Sequence, residues 1–239
     1  MGILPETASG GQTAKAPSRQ RIKRGSASVQ LHDSLRERIV SLELKPGQYL
    51  SRNEIALEYG VSQTPVRDAL IKLEEEGLIV TYPQSKTEVT RIDVDHALET
   101  HFLRLSVELE VTRRLAKAQD KSLIAKARSI LAMQEAARDA GDLEAFSKLD
   151  RDFHMSLYEA AGVGNLHHVI SDRSGHIDRL RKLHLPDPGK RMQILQLHAQ
   201  ILDGIQASDL AATEAAVREH LTGTLAKVAD IRARHADFF

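Results

Sequence analysis

The sequence predicts a mainly α-helical protein, in which an N-terminal winged helix-turn-helix is followed by an antiparallel bundle of six to seven helices. Three observations favour this fold class. Apolar residues recur at helical spacing over most of the chain. Strand signals are confined to a short stretch at residues 78–90, and aromatic residues make up only 4% of the 239 residues. Such a composition fits a core of leucine, isoleucine, valine and alanine packed between helices.

Composition also limits the kind of protein and of site. The chain contains no cysteine, which excludes disulfides and thiolate metal sites and leaves histidine and carboxylates as the strong metal ligands. No apolar run reaches the roughly 18 residues of a membrane span, and no signal peptide is recognisable. We therefore expect a cytoplasmic protein without a membrane partner. Its 33 basic and 33 acidic residues balance, so net charge alone does not indicate nucleic-acid binding.

Residues 1–27 are predicted to form a disordered basic tail. They are rich in Gly, Ser, Ala and Pro, and their cations outnumber a single carboxylate, Glu6. Such a tail is suited either to simple solvation or to tracking DNA phosphates.

The N-terminal domain is predicted over residues 28–91. A first helix ends near Leu42, where Pro46 and Gly47 form a turn. Gly77 caps the last helix of the unit, and β-branched residues then change the period from helical to alternating. The remaining predicted elements are helices over 53–59 and 63–76 and the strands of a small hairpin over 78–82 and 87–90.

The second of these short helices has one buried and one exposed side. Val66, Ala69, Leu70 and Leu73 are spaced at i, i+3, i+4 and i+7, which predicts an apolar stripe. The opposite side carries hydrogen-bond donors and a guanidinium, as in a helix that enters the major groove. Similar helix pairs occur in proteins that never bind DNA, but the hairpin directly after this one favours a DNA-binding wing. The candidate DNA contacts are Arg52, Asn53, Ser62, Gln63, Thr64, Arg67 and, at the hairpin tip, Lys86.

From Asp93 onward the strand signals end, and a second domain is predicted over 92–239. Its helices are separated by recognisable breaks, such as Gly141 and the loop from Pro186 to Gly189. Short connections between successive helices favour an antiparallel bundle. The predicted helices span about 94–118, 122–140, 142–161, 165–184, 188–206 and 209–235.

Four side chains of this domain form a candidate metal site. Asp150 and His154 are i and i+4 on one helix face. His198 and His220 lie at similar distances from the turn between two consecutive helices, so an antiparallel pair would bring them side by side. Three imidazoles and a carboxylate suit Zn²⁺, Ni²⁺ or Mn²⁺. Spacing alone also fits a chance arrangement, because the chain has 11 histidines.

The run LKPGQYLSRNEIALEYGVSQTPVRDALIKLEEEGLIVTYP resembles the DNA-binding domain of the GntR superfamily, over about forty residues. The resemblance implies a homodimeric winged helix-turn-helix regulator that binds double-stranded DNA at a palindromic operator, with DNA contacts at Thr64 and Arg67. Gln63, Asn53 and Lys86 depart from the usual residues at their positions, so operator preference should not be transferred from relatives.

The C-terminal region resembles the helical FCD ligand-binding domain of FadR-type GntR regulators. The matching motifs are Arg104 with Glu108, the segment 150–165, the segment 198–209, and His220. In many members, residues corresponding to Asp150, His154, His198 and His220 hold a metal at the floor of a pocket for small carboxylates. Arg104, Glu108 and Asn165 are the candidate ligand-binding residues that the resemblance implies.

Arg104 is suited to two-point recognition of a carboxylate, but an i, i+4 structural pair with Glu108 explains it equally well. His101 and His176 are further candidates for lining the cavity or for exposed positions. The stretch AGVGN is longer than the usual AGN, and Leu197 replaces a commonly acidic residue.

We therefore expect a transcriptional regulator, acting as a repressor, that senses a small organic acid at a metal-containing pocket. A metal-dependent hydrolase fused to a DNA-binding module is the alternative, although no phosphate loop, H-E-x-x-H or G-x-S-x-G run is present. A structural DNA binder whose helical domain only dimerises would need neither metal nor ligand.

Overall fold

A computed structural model describes residues 27–83, 86–187 and 189–239. Of the predicted basic tail, residues 1–26 lie outside the described residues. The N-terminal unit contains three helices and a three-stranded antiparallel sheet of order β1-β3-β2. Its elements are α1 (Ala27–Val40), β1 (Tyr49–Leu50), α2 (Arg52–Tyr59), α3 (Gln63–Glu75), β2 (Ile79–Thr81) and β3 (Thr87–Val89).

The winged helix-turn-helix prediction is confirmed, including its buried stripe. Val66, Ala69, Leu70 and Leu73 of α3 are buried against α1 and the sheet. Ser62 occupies the N-cap position of α3 with an extended backbone, but its side chain makes no capping hydrogen bond. The strand β1 was not predicted, because its two residues are too few to show an alternating pattern. Tyr49 pairs with Glu88 on the edge of the wing.

The C-terminal domain is entirely helical within the described ranges. Its α-helices are α4 (Val94–Lys117), α5 (Ala125–Asp139), α6 (Leu143–Ala160), α7 (Gly164–Ser171), α8 (Gly175–His184), α9 (Lys190–Ala207), α10 (Leu210–Thr222) and α11 (Val228–Arg234). Short 3₁₀ turns precede α5 and α11 and follow α11. No helix in these ranges is both long and apolar enough to cross a membrane.

Two predicted helices are each divided in the structure. The helix predicted over 165–184 breaks between α7 and α8, where the Ser174 hydroxyl donates to the carbonyl of Ser171 and competes with helical bonding. The helix predicted over 209–235 breaks after Thr222 at Gly223, a residue with low helix propensity. The helical spacing of apolar residues continues across both breaks, so the sequence pattern did not show where either helix is divided.

The main core of the helical domain lies between α4, α5, α6, α9 and α10. The helices α9 and α10 approach closely, because a Cβ atom on Gly204 would lie 2.5 Å from Oγ1 of Thr213. Ser208 adopts a left-handed conformation in the turn between them, and Asp209 caps α10 through the backbone N–H of Ala212. This tight hairpin sets the positions of side chains midway along both helices.

Helix α8 packs directly on the N-terminal unit. A Cβ atom on Gly175 would lie 2.4 Å from a methyl carbon of Leu78, which belongs to the winged-helix core. His176 Nε2 lies 3.1 Å from the carbonyl oxygen of Gly77, and Arg179 donates to the carbonyl of Thr90 at 2.6 Å. The two domains are therefore joined by partly buried hydrogen bonds as well as by the connection between β3 and α4.

Candidate functional site

The start of α3 is the exposed polar face that the sequence predicts. Gln63, Thr64 and Arg67 are all exposed, and Ser62 and Arg52 lie exposed beside them. The Gln63 amide donates to Oδ1 of Asn53 at 2.7 Å, which links the first turns of α2 and α3. These exposed side chains lie at the N-terminal ends of α2 and α3.

Lys86 lies on the wing rather than free in solvent. Its ammonium donates to the Tyr49 hydroxyl at 2.8 Å and pairs with Glu88 at 2.8 Å. It also lies 4.2 Å from the centre of the Tyr49 ring. Hydrogen bonds to Glu88 and Tyr49 raise the pKa of Lys86, so the side chain stays cationic.

The four candidate metal ligands converge at the centre of the helical domain. Helix α6 contributes Asp150 and His154, α9 contributes His198, and α10 contributes His220. The Nε2 atom of His220 lies 3.0 Å from Nε2 of His154 and 3.2 Å from Nε2 of His198. Oδ1 of Asp150 lies 3.5 Å from Nε2 of His198, and one ligand atom from each residue falls within 4.8 Å of all the others.

Two of the imidazoles are held through their other ring nitrogen. Nδ1 of His154 lies 2.9 Å from Oε2 of Glu108, and Nδ1 of His198 lies 2.9 Å from Oε1 of Gln134. Both partners are acceptors, so they favour a proton on Nδ1 and leave a lone pair on Nε2. The His198 ring also stacks on Phe153 with centroids 3.8 Å apart. Hydrogen bonds to the ring nitrogen that does not bind the metal orient metal-binding histidines.

The electrostatics keep His198, His220 and Asp150 in their metal-binding protonation states. Burial lowers the pKa of His198 to about 3 and also holds the pKa of His220 well below its usual range. Burial alone would raise the pKa of Asp150, but the facing imidazoles and nearby guanidinium groups outweigh it and lower the pKa to about 2. Neutral imidazoles and an ionised carboxylate are the forms that ligate a divalent cation.

The geometry and the donor atoms of these residues fit a divalent metal ion. Oδ1 of Asp150, which faces Nε2 of His198, is buried without a hydrogen-bond partner. A single proton on Nε2 of His220 can satisfy only one of the two neighbouring nitrogens. The distances between the histidine Nε2 atoms are close to the separation of about 3.3 Å that is expected between two ligand atoms of a tetrahedral zinc site.

A cavity of about 320 Å³ adjoins this cluster, with Asp150 and His220 in its lining. Three cationic side chains from the region around α8 and α9 line the same cavity: Arg181, Lys182 and Lys190. Lys190 is only 8% exposed. Sequence reasoning missed these cations. The signal available was an Arg-Lys pair in one helix and a lysine opening the next, which is ordinary for solvent-exposed helices.

The other predicted ligand-binding residues lie outside the cavity lining. Arg104 is buried and donates to Oε1 of Glu108 at 2.6 Å, so it neutralises the carboxylate that contacts His154. Asn165 is exposed in the first turn of α7. Of the two further candidates, His101 is half-buried on α4, whereas His176 is buried at the domain contact.

The fold and the site together define a class of protein: a winged helix-turn-helix DNA-binding unit carrying a helical domain with a buried three-histidine, one-carboxylate centre. Family models agree with both halves. Residues 27–89 match the model described as bacterial regulatory proteins, gntR family, and residues 99–223 match the FCD domain. The chain therefore belongs to the GntR family of DNA-binding transcriptional regulators and carries an FCD domain.

Individual proteins give the same result. The chain is 35% identical over 205 residues to an uncharacterised HTH-type transcriptional regulator in an unstable DNA locus of Streptomyces ambofaciens, covering 86% of each chain. It is 31% identical to the HTH-type transcriptional repressor RspR of Escherichia coli, covering 88% of this chain and 92% of the relative. The structure of E. coli McbR/YncC has the same fold, with a TM-score of 0.73 at 20% identity over 86% of this chain and 98% of the other.

These relatives are transcriptional regulators and not enzymes, which removes the support for the alternative of a metal-dependent hydrolase.

Proposed function

We propose that this protein is a ligand-responsive transcriptional repressor of the FadR type, which senses a small organic acid beside a bound divalent metal ion. The observation that carries the proposal is the convergence of three imidazole nitrogens and one carboxylate oxygen within 4.8 Å of one another, next to a cavity whose lining includes Arg181, Lys182 and Lys190. We further propose that the boundary between its two domains lies at about residues 91 and 92.

Asp150, His154, His198 and His220 would hold Zn²⁺, Ni²⁺ or Mn²⁺. When bound, the ion supplies a Lewis-acidic position for one carboxylate oxygen of an effector. Arg181 and Lys190 supply the charge-assisted hydrogen bonds that a carboxylate at this place requires. Glu108 orients His154, and Arg104 in turn neutralises Glu108, so both act as supports of the site.

Helix α8 would carry the response from the cavity to the DNA-binding unit. Arg181 and Asp178 of this helix line the cavity, whereas Gly175, His176 and Arg179 contact the winged helix. A ligand that binds one position of α8 more tightly than another shifts the population of domain arrangements. The spacing of two recognition helices on DNA depends on that arrangement.

We propose that the protein acts as a homodimer on a palindromic operator. Leu98 and Phe102 lie one turn apart on α4 and are exposed, and the Phe102 residue is 74% exposed to solvent. A two-fold dimer covers such a face with the same face of a second copy. Two-fold symmetry in the protein is matched by an inverted repeat in the DNA. Arg52, Asn53, Ser62, Gln63, Thr64, Arg67 and Lys86 are the proposed DNA contacts.

The decisive experiment combines elemental analysis with thermal unfolding. Purified protein should carry about one divalent ion per chain, and a panel of small organic acids should raise the unfolding temperature only when the metal is present. The His198→Ala variant should lose the ion and the response. The His168→Ala variant changes an exposed histidine on α7 and should keep both. A metal-free wild-type protein that responds to no acid would refute the proposal.

A further inference from the structure

We infer that the effector cavity is shared by both domains, and that Glu37 and Ser41 of the DNA-binding unit contact the far end of the bound acid. The inference rests on the proposed function, because it assigns additional contacts to the same effector. It also specifies the effector as a small carboxylate that carries hydroxyl groups on the carbon atoms away from its acid group.

The DNA-binding unit contributes one wall of the cavity. The last turn of α1 and the residues after it line the cavity with Glu37, Val40, Ser41 and Glu43. The lining from the helical domain includes the cluster residues Asp150 and His220 and the cations near α8. Helices α1 and α8 pack against each other, so the cavity lies at a real domain contact.

Charges of both signs face this space without neutralising one another. Among the residues that the structure describes, Glu37 has no ion-pair partner within 4 Å, and Lys190 donates only to the amide oxygen of Gln193 at 3.3 Å. The ion pair of Arg181 with Asp178 is long, at 3.7 Å. The absence of a side chain at Gly223 leaves space for the Lys190 ammonium, because a Cβ atom on Gly223 would lie 3.0 Å from Lys190 Nζ. A ligand that reaches from Arg181 and Lys190 to Glu37 would form hydrogen bonds with the charged groups on both sides of the cavity.

The chemistry of the lining selects the ligand. A carboxylate at the inner end would accept from Arg181 and Lys190. At the other end, the exposed Glu37 carboxylate can accept from a hydrogen-bond donor, whereas Lys182 in the same lining disfavours a second cation. A hydroxyl both donates and accepts, so it can serve Glu37 and Ser41 together. The cavity volume of about 320 Å³ is near the lower end for ligand pockets, which fits a small acid.

This arrangement would make the response direct. A bound acid that touches α1 and α8 at once has contacts that depend on the angle between the domains. Its binding free energy therefore differs between domain arrangements, which is the requirement for a population shift.

The first test compares acids of equal length and charge. Hexanoate and gluconate, and propionate and glycerate, are titrated calorimetrically into the metal-loaded full chain. At least one hydroxylated acid should bind more tightly than its unsubstituted partner. Glu37→Gln should weaken that acid by about tenfold, as expected for losing a charged hydrogen-bond partner, and leave its unsubstituted partner unaffected. Glu135→Gln, at an exposed glutamate on α5, should bind like the wild type.

Two negative results have different meanings. A wild-type protein that binds the acids but does not prefer the hydroxylated ones, or whose preference survives in Glu37→Gln, overturns the shared cavity and leaves the proposed function standing. A wild-type protein that binds none of the four acids counts against the proposed function as well.

The second test measures protection of α1 and uses the absence of cysteine from the chain. In the Ser41→Cys variant the new thiol is the single alkylation site. At a concentration of hydroxylated acid shown to saturate this variant, alkylation should slow severalfold. The Ser129→Cys variant, exposed on α5, should react at the same rate with and without the acid. Unprotected Ser41→Cys with bound acid would overturn the inference.

Discussion

Oε2 of Glu108 lies 2.9 Å from Nδ1 of His154, while the other oxygen of the same carboxylate accepts from Nε of Arg104 at 2.6 Å. All three side chains are buried. Arg104 and His154 hold the pKa of Glu108 far below its usual range despite burial, which by itself would raise it. The carboxylate is therefore ionised, and it turns Nε2 of His154 towards the other candidate metal ligands.

We expect Glu108→Gln to lower metal affinity by about 10–100-fold, because an amide cannot match a carboxylate as the acceptor for His154. Competition between the protein and a zinc-binding dye measures this change. Glu110→Gln, at an exposed position of the same helix, is the matched control. Loss of the Glu108 charge should also lower the free energy of unfolding, since buried Arg104 loses its counterion. Equal zinc affinity in both variants would contradict the supporting role of Glu108.

Arg67 is exposed on the start of α3, as expected for a base or phosphate contact. We expect Arg67→Ala to weaken binding to a selected operator by about 1–3 kcal/mol. The operator is obtained by selecting bound duplexes from a random pool, and affinity is measured by fluorescence anisotropy. Lys117→Ala removes an exposed cation from the helical domain and should leave the affinity unchanged. An undiminished affinity in Arg67→Ala would place the DNA contacts elsewhere.

The close approach of α9 and α10 at Gly204 predicts a stability effect that extends to the metal site. In Gly204→Ala, the new methyl carbon would meet the backbone nitrogen of Thr213 at 3.0 Å as well as its hydroxyl. We expect unfolding free energy to fall by about 1–3 kcal/mol and zinc affinity to fall with it, because His198 and His220 move apart.

Gly164→Ala provides the comparison, since its methyl carbon would make an ordinary 3.4 Å contact with Cγ of Glu159 in a helical backbone. Urea denaturation should show a change within about 1 kcal/mol for this variant. If Gly204→Ala is equally well tolerated, the α9–α10 contact is looser than the structure indicates.

His176 at the domain contact predicts a pH dependence of stability. Burial, with the neighbouring Arg179 guanidinium, lowers the pKa of His176 from 6.5 to about 4. Its Nδ1 accepts from the backbone N–H of Asp93 at 2.9 Å, so a proton there would face another donor. The unfolded chain gains the proton near pH 6.5, whereas the folded chain resists it down to about pH 4. Stability from this residue is therefore complete above pH 6.5 and falls as the pH drops towards 4.

Denaturation of the wild type and of His176→Gln between pH 8 and pH 4.5 measures this contribution. The variant should lose less stability on acidification, because it has one fewer group that takes up a proton on unfolding. His168→Gln, at an exposed histidine, should follow the wild type. Parallel curves for all three proteins would show that His176 does not couple the domain contact to pH.

The sequence by itself determined the elements whose signals are local. The apolar stripe predicted α3 and its exposed side, because helical periodicity depends only on residues that are close in sequence. The stripe consists of Val66, Ala69, Leu70 and Leu73. The i, i+4 spacing of Asp150 and His154 placed both on one face of α6 for the same reason. Family motifs then brought His198 and His220 to the same site.

The tertiary structure decided every relationship between distant segments. Arg181 and Lys190 have no motif, and only the packing of α8 and α9 brings them beside Asp150 and His220. The place of α1 in the cavity wall and the docking of His176 against Gly77 likewise join residues far apart in the chain. Such contacts depend on burial and on the crossing of whole helices, which no short window of sequence contains.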